Sequence, residues 1–318
     1  MSKAVQLSAY GGIDQLRIVD VPKPEPQPDE VVVRVVAAGT NPGEISVREG
    51  FLRDMFPMDF PFGQGTDFAG RVDAVGAAVK EFAAGDEVLG WSDGRSAQAE
   101  YVATSASRLI RNPPALDWFR AGSLFVVATT AVGAVRAVSL KPGDVVAISA
   151  AAGGVGSIAV QLARRAGARV IGIASADSAD FLRSVGVELV SYGDGLADRL
   201  RAAAPNGIDA FVDLFGGTYV ELAVALGVAR DRINTIIDFA GVEKYGVKGD
   251  GSAAAATRET LTSVANLIAW GEIVMPLTAI YPFASVRDAY VELARRKARG
   301  KIVLALDAAI TEPLRPPA

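Results

Sequence analysis

Apolar positions along the chain fall into two regimes, with the change near residue 115. Before it, short apolar runs alternate with glycine and proline turns: Lys3–Leu7, the valine-rich Glu30–Ala38, Gly65–Val75, Glu87–Leu89 and Ala97–Ala103. This spacing predicts short strands forming a compact β-barrel or bent sheet. Val21–Asp29 carries four prolines and reads as extended, irregular chain at an edge. Gly39–Gly63 shows no period and reads as a long loop. Its Phe51, Phe56, Phe60 and Phe62 either pack locally or line a pocket.

After Pro113-Pro114 the pattern lengthens. Trp118–Leu140 reads as one alanine- and valine-rich helical stretch, closed by Lys141-Pro142-Gly143-Asp144. Strands then alternate with helices. The apolar run that opens at Val145 and ends in the turn beginning at Ala151 reads as a strand, and so do Arg169–Ala174, Val187–Ser191, Ile208–Leu214 and Arg232–Asp238. Ser178–Val185, Leu196–Ala204 and Gly217–Leu226 read as the helices between them. Such alternation predicts a doubly wound parallel sheet with right-handed crossovers. Thr257–Trp270 and Asp288–Arg299 read as further helices, and Lys301–Leu306 as a strand returning to the first domain.

The stretch Val145–Gly156, VVAISAAAGGVG, carries the first chemical hint. A buried strand ends in a small-residue turn, after which Val155, Ile158, Ala159, Leu162, Ala163 and Ala166 recur at helical spacing. A strand–turn–helix of this kind gathers free backbone N–H groups at the positive end of a helix dipole, which suits a pyrophosphate. In G-x-G-x-x-G register the positions are Ala151, Gly153 and Gly156, so the first glycine is replaced. Taken alone, the turn also fits an ordinary crossover in another parallel-sheet protein.

Composition narrows the chemistry. The 318 residues are 50% hydrophobic and 21% charged with a net charge of −4, which argues for a large core and against nucleic acid as a partner. Val145–Ala163 is uncharged for 19 residues, yet its glycines, serines and glutamine fit the strand–turn–helix better than a membrane span. The N-terminus shows no apolar signal region, and the chain reads as cytoplasmic, without a membrane partner. Cysteine and histidine are both absent. Thiolate nucleophiles, Ser–His triads, disulfides and the usual zinc ligand sets are thereby excluded. Chemistry must come from a cofactor, hydroxyls, carboxylates, lysines, arginines or backbone dipoles.

Seven ordered segments then carry a resemblance. They are EVVVRVVAAGTNPGE (30–44), FGQGTDFAGRVDAVG (62–76), FAAGDEVLG (82–90), AQAEYV (97–102), ATTAVGAV (128–135), the long LKPGDVVAISAAAGGVGSIAVQLARRAGARVIGIAS (140–175) and RGKIVLAL (299–306). The chain resembles the zinc-independent medium-chain dehydrogenase/reductase superfamily, in its quinone oxidoreductase (zeta-crystallin-like) branch, where AAGGVG is the usual turn. The resemblance implies an α/β fold: a GroES-like β-barrel catalytic domain at 1–117, completed by 273–318, and a Rossmann cofactor domain at 118–272. It also implies a homodimer, and cofactor and substrate meeting in the interdomain cleft.

By the same resemblance, Gly153, Gly154, Val155 and Gly156 hold the pyrophosphate, and Thr130 contacts the nicotinamide amide. Ser175, 19 residues past Gly156, leaves room for a 2′-phosphate, and Tyr192 flanks it. NADPH is therefore expected over NADH, although Asp177 and Asp180 stand where relatives often carry a cation; Ser175 also suits a helix cap. Phe239, Ala240 and Gly241, with the Gly246–Gly251 loop, are expected over the nicotinamide, with Tyr245 and Lys248 either substrate contacts or solvated. Asn41, Ser46, Arg48 and Asp67 match catalytic positions. Several relatives carry tyrosine where Ser46 stands, which leaves the proton donor open. The implied reaction is hydride transfer to a quinone or α,β-unsaturated carbonyl without metal. Alternatives are an enoyl-thioester reductase and a cofactor-binding protein with little turnover, such as a redox sensor or a structural protein.

Overall fold

The computed structural model describes residues 1–307. From the N-terminus run β1 (Ser2–Leu7), β2 (Arg17–Val21), β3 (Glu30–Gly39), α1 (Pro42–Arg48), β4 (Phe62–Gly63) and β5 (Asp67–Val75). Then come β6 (Glu87–Trp91), β7 (Tyr101–Ser105), β8 (Leu109–Arg111), α2 (Trp118–Ala121) and α3 (Phe125–Ala137). The alternating part comprises β9 (Val145–Ser149), α4 (Gly154–Arg165), β10 (Arg169–Ala174), α5 (Ala179–Ser184) and β11 (Glu188–Ser191). It continues through α6 (Leu196–Ala203), β12 (Ala210–Asp213), α7 (Tyr219–Ala225), β13 (Ile233–Thr235) and α8 (Phe239–Tyr245). The chain returns through α9 (Arg258–Ala269), β14 (Leu277–Pro282), α10 (Val286–Ala294) and β15 (Lys301–Ala305).

These elements form two compact units. The first holds residues 1–126, 257–272 and 277–307; the second holds 127–256 and 273–276. Residues 118–126 and 257–272 thus group with the first unit, whereas the sequence division places them with the cofactor domain. The remainder of the expected C-terminal portion, 308–318, lies outside the described residues.

In the first unit β3 is the hub. Its Val31–Ala38 pairs antiparallel with β5, its Glu30–Arg34 with β7, and its Ala37–Gly39 with β15. The main path of the larger, seven-stranded sheet runs β14-β15-β3-β5-β6-β8, and β2-β1-β4 forms a small second sheet. The valines of β3 are buried, as a strand covered on both faces requires. Buried clusters fill the unit around Val33, Phe68 and Leu109, around Leu7, Tyr290 and Leu304, and, smaller, around Ala37, Phe119 and Val303.

The second unit is a five-stranded parallel sheet of order β11-β10-β9-β12-β13. The order reverses direction at β9, the topological switch point at which such sheets bind ligands. Lys248 adds one parallel bridge beside Asn234, whose side chain also exchanges two hydrogen bonds with the Asp250 backbone.

Several expectations are corrected. The Gly39–Gly63 stretch is not wholly irregular: α1 forms there, because Pro42 opens it and Glu44 accepts the Asn41 backbone N–H at 2.9 Å. The Trp118–Leu140 helix is two helices. Between them, a Cβ on Gly122 would lie 2.5 Å from the Ala37 carbonyl, so the chain packs too closely on β3 for any larger residue. Helix α10 begins at Val286 and ends at Ala294, earlier than expected. Phe239, Ala240 and Gly241 form the first turn of a helix, α8, and the strand expected to reach Asp238 ends at Thr235, Asp238 instead capping α8 by accepting from Gly241 N–H at 2.9 Å. Among the described residues no helix is long and apolar enough to cross a membrane.

Candidate active site

Within the first unit the head of α1 gathers a buried polar cluster. Asn41, 5% exposed, donates its side-chain amide to Glu44 Oε1 at 3.1 Å and to Asp67 Oδ2 at 3.0 Å. Its Oδ1 accepts from Lys301 Nζ at 2.7 Å. Lys301, 3% exposed at the start of β15, also donates to the Thr40 carbonyl at 2.7 Å and stands 3.6 Å from Asp67 Oδ2. Asp67 Oδ1 accepts the Val126 N–H at 2.9 Å. Glu44 Oε2 accepts the Tyr290 hydroxyl at 2.5 Å, and that hydroxyl accepts from Gln64 and Gln98, each at 2.8 Å.

The electrostatics follow from burial. The Glu44 carboxyl is pushed above the ordinary carboxylate range, mainly because water is excluded, with the Asp67 charge adding to it. Burial likewise pulls the Lys301 ammonium below its usual value, against the opposing pull of Asp67 and Glu44. Tyr290 is raised well above an ordinary phenol by burial and by Glu44.

The four expected catalytic residues divide. Asn41 and Asp67 are in direct contact. Arg48 is buried but turns elsewhere, donating to the Gly11 carbonyl at 3.3 Å and to Glu49 at 3.0 Å, with its guanidinium 5.6 Å from the Tyr290 ring centroid. Ser46 is half-buried on α1, its carbonyl accepting from Phe51 N–H. Sequence reasoning misses Glu44, Tyr290 and Lys301. The signal for Glu44 is present in Asn41-Pro42-Gly43-Glu44, an N-cap with an acid three residues on.

In the second unit β9 delivers the chain to the opening of α4. Gly153 is the N-cap, and no side chain caps it. A Cβ on Gly153 would meet one atom within 4 Å, the Ala150 carbonyl oxygen, in a tight contact at 3.3 Å. A Cβ on Gly156 would lie 2.1 Å from the same carbonyl, so the helix rests directly on its turn. The first N–H groups of any helix lack intrahelical partners, and no N-cap side chain takes up those of α4. That arrangement fits the pyrophosphate of a dinucleotide.

The turn is backed by Asp213, fully buried at the end of β12. It accepts from Ser149 Oγ at 2.7 Å, from Thr235 Oγ1 at 2.8 Å and from the backbone N–H groups of Phe215 and Gly216 at 3.0 Å. One carboxylate therefore joins the carboxyl ends of β9, β12 and β13. Sequence reasoning misses it too; the acid closing the apolar run AFVD is its only mark.

Ser175 follows β10, its hydroxyl 3.3 Å from that of Ser178, and Tyr192 follows β11, 56% exposed. Arg199 anchors the Tyr192 loop by donating to the carbonyls of Ser191, Gly193 and Asp194. A groove of about 430 Å³ borders the same loop, lined by Gly193, Leu196, Thr218, Tyr219 and Glu221 among others. Thr130 is buried within α3, beside Thr129, whose hydroxyl pairs with Ser252 at 2.7 Å. Phe239 and Ala240 are exposed on α8, while Gly241 is buried. Tyr245 is partly buried against the core, and Lys248 donates to the Ala137 carbonyl at 2.5 Å, at the end of α3. Among the described residues no group of three or more acidic side chains is placed to hold a metal ion.

Residues 27–114 match the family model described as "Alcohol dehydrogenase GroES-like domain", and 154–236 that described as "Zinc-binding dehydrogenase". A chloroplastic quinone-oxidoreductase homolog of Spinacia oleracea is 36% identical over 59% of this chain, which spans 60% of that protein. The chloroplastic quinone-oxidoreductase QR1 of Triphysaria versicolor is 31% identical, with 67% of this chain and 68% of that protein aligned. The solved quinone oxidoreductase of Coxiella burnetii superposes with a TM-score of 0.87 at 29% identity, covering 96% of this chain and 99% of that one. The Escherichia coli quinone oxidoreductase complexed with NADPH gives 0.83 at 25% identity, covering 96% and 100%.

Proposed function

Because the chain belongs to the zinc-independent quinone oxidoreductase branch of the medium-chain dehydrogenase/reductase superfamily, we propose that it is an NADPH-dependent reductase of quinones or α,β-unsaturated carbonyls. The observation that carries this reading is the uncapped, glycine-lined start of α4 at the switch point of the parallel sheet. Gly153, Gly154, Val155 and Gly156 would hold the pyrophosphate, Ser175 and Tyr192 the 2′-phosphate end, and Thr130, Phe239, Ala240 and Gly241 the nicotinamide end. When bound, the nicotinamide supplies a hydride equivalent, the part of the chemistry no side chain can perform.

Zinc does not fit the residues present. The chain has neither cysteine nor histidine, and the two carboxylates of the polar cluster already bind Asn41. The cationic place beside Asp67 is taken by Lys301. With no metal to stabilise a localised alkoxide, the acceptor must spread negative charge itself, which a conjugated carbonyl does and a simple ketone does not. In this reading the second unit holds the dinucleotide, and water or a hydroxyl delivers the proton to the reduced acceptor. The resemblance further supports a small-molecule substrate and a homodimer working in the cytoplasm.

The test is direct. Purified protein should oxidise NADPH faster than NADH in the presence of quinones or enones, with no change on adding a zinc chelator. Inertness toward both nucleotides across such a panel would end the proposal.

A further inference from the structure

Arg199, half-buried on α6, turns its guanidinium onto one short loop. Nε and Nη2 donate to the Ser191 carbonyl at 3.0 and 2.8 Å. Nη2 also donates to the Gly193 carbonyl at 3.1 Å, and Nη1 to that of Asp194 at 2.7 Å. Three carbonyls of one turn converge on one planar fork, a geometry that suits a guanidinium and not an ammonium. The loop has need of such a grip. Gly193 and Gly195 stand at φ +102° and +76°, so the chain passes twice through left-handed backbone between β11 and α6.

Neighbouring arginines behave differently. Arg183 pairs with Asp180 and Arg201 with Asp198, each three residues apart on an exposed helix face, where such pairs contribute little. Arg199 holds backbone instead, and the backbone it holds carries Tyr192. Ser191 is the register partner of Ala174 in the parallel ladder, and the Tyr192 N–H donates to the Ala174 carbonyl at 3.3 Å. Positions 175 and 192 therefore stand next to each other at the carboxyl ends of β10 and β11, with the Tyr192 side chain 56% exposed.

We infer that Arg199 is a positioning residue for nucleotide choice, holding the Tyr192–Gly195 loop so that Tyr192 stands beside Ser175 where a ribose 2′-phosphate is recognised. The inference rests on the proposed reading of Ser175 and Tyr192 as the 2′-phosphate end of the site. It adds that the discrimination depends on a residue that does not itself meet the phosphate.

NADPH and NADH differ only in the 2′-phosphate, and their fluorescence reports binding with neither an acceptor nor turnover. The wild type should bind NADPH more tightly than NADH. In Arg199→Gln, NADPH should bind about tenfold more weakly, with NADH within about twofold of wild type. Arg199→Lys keeps the charge but cannot fork across three carbonyls, and should lose most of the same discrimination. In a Tyr192→Ala background, Arg199→Gln should change the NADPH affinity no further, because the arginine acts through the tyrosine.

The outcomes separate cleanly. Binding of neither nucleotide by the wild type would end the reductase reading and this inference with it. Equal affinity of the wild type for both would remove the 2′-phosphate assignment, and the inference again falls. Where the wild type prefers NADPH, unchanged discrimination in folded Arg199→Gln overturns the inference alone. Equal weakening of both nucleotides overturns it too, since a residue that merely stabilises the loop predicts that result. Additive losses in the double variant, or full discrimination in Arg199→Lys, would assign the effect to charge and refute the positioning role. Should Arg199→Gln fail to fold, Arg199→Lys carries the test by the same criterion.

Discussion

The Tyr290 hydroxyl donates to Glu44 Oε2 at 2.5 Å, tying α10 to α1 across 246 residues of chain. The same hydroxyl oxygen accepts from Gln64 and Gln98, so one phenol closes a four-residue buried network. Tyr290→Phe would leave a carboxyl and two amides short of partners, at a cost of about 1–3 kcal/mol. The penalty should depend on pH. Glu44 is held above the ordinary carboxylate range chiefly by burial, and the Tyr290 hydroxyl opposes that rise. A carboxyl whose folded value is raised lends stability while protonated at low pH, and that stability is lost as pH rises through the folded value. Without the hydroxyl the folded value rises further. Urea denaturation of Tyr290→Phe should therefore show a small deficit in mild acid that grows toward neutral pH; a deficit constant with pH would contradict the assignment.

Asp213 bears more hydrogen bonds than any surface acid needs, from Ser149, Thr235 and the Phe215–Gly216 backbone. Asp213→Ala removes the acceptor for all of them and should destabilise the protein by about 3–5 kcal/mol, as for a broken buried network. Asp213→Asn keeps one oxygen and should cost roughly half as much. Denaturant midpoints give the two values. Because the donors sit at the carboxyl ends of β9, β12 and β13, nucleotide affinity should fall in Asp213→Asn even where the fold persists.

The parallel sheet is readable because each of its elements carries its own period. The apolar runs at 145–149 and 169–174 and the helical spacing after Gly156 need no partner to be recognised. The polar cluster is readable only in part. Asn41, Asp67 and Lys301 lie in segments with family likeness and Tyr290 does not, but Tyr290 and Lys301 both reach the cluster across 246 and 260 residues, a pairing no local pattern encodes. Lys301 stands at the head of KIVLA and reads there as the polar first residue of a strand, although it is buried. Helix α1 is hidden for another reason: seven residues are too few to show a period, and its signal lies in the Asn41–Glu44 cap.

Two glycines of one turn should behave differently. Gly156→Ala forces a Cβ to within 2.1 Å of the Ala150 carbonyl, so α4 must shift from β9, at about 1–3 kcal/mol. Gly153→Ala meets that carbonyl at 3.3 Å and sits at φ −75°, which any residue adopts, so the fold should tolerate it. Its Cβ would instead stand where, in the proposed reading, a pyrophosphate approaches the backbone. Thermal melts should fall for Gly156→Ala and hold for Gly153→Ala, while titration with NADPH shows weakened binding in the latter. Equal affinity for NADPH in Gly153→Ala would count against the pyrophosphate assignment.

In the proposed reading, nucleotide choice turns on the end of β10. Ser175 is neutral, its hydroxyl is only 3.3 Å from that of Ser178, and Tyr192 stands exposed at the end of the neighbouring strand β11. A carboxylate at position 175 would bond a ribose 2′-hydroxyl and repel a 2′-phosphate. Ser175→Asp should therefore weaken NADPH relative to NADH by roughly tenfold, about 1.4 kcal/mol. The comparison is best made by thermal shift at matched nucleotide concentrations, since the stabilisation follows the logarithm of ligand over dissociation constant and needs no acceptor. The neighbouring Asp177 offers a control of opposite sign: Asp177→Ser removes a negative charge from the same loop and should favour NADPH. Ser175→Asp leaving the ratio of the two nucleotides unchanged would dissociate this residue from the 2′ position, and would move the search for the phosphate contact to the Tyr192–Gly195 loop that Arg199 anchors.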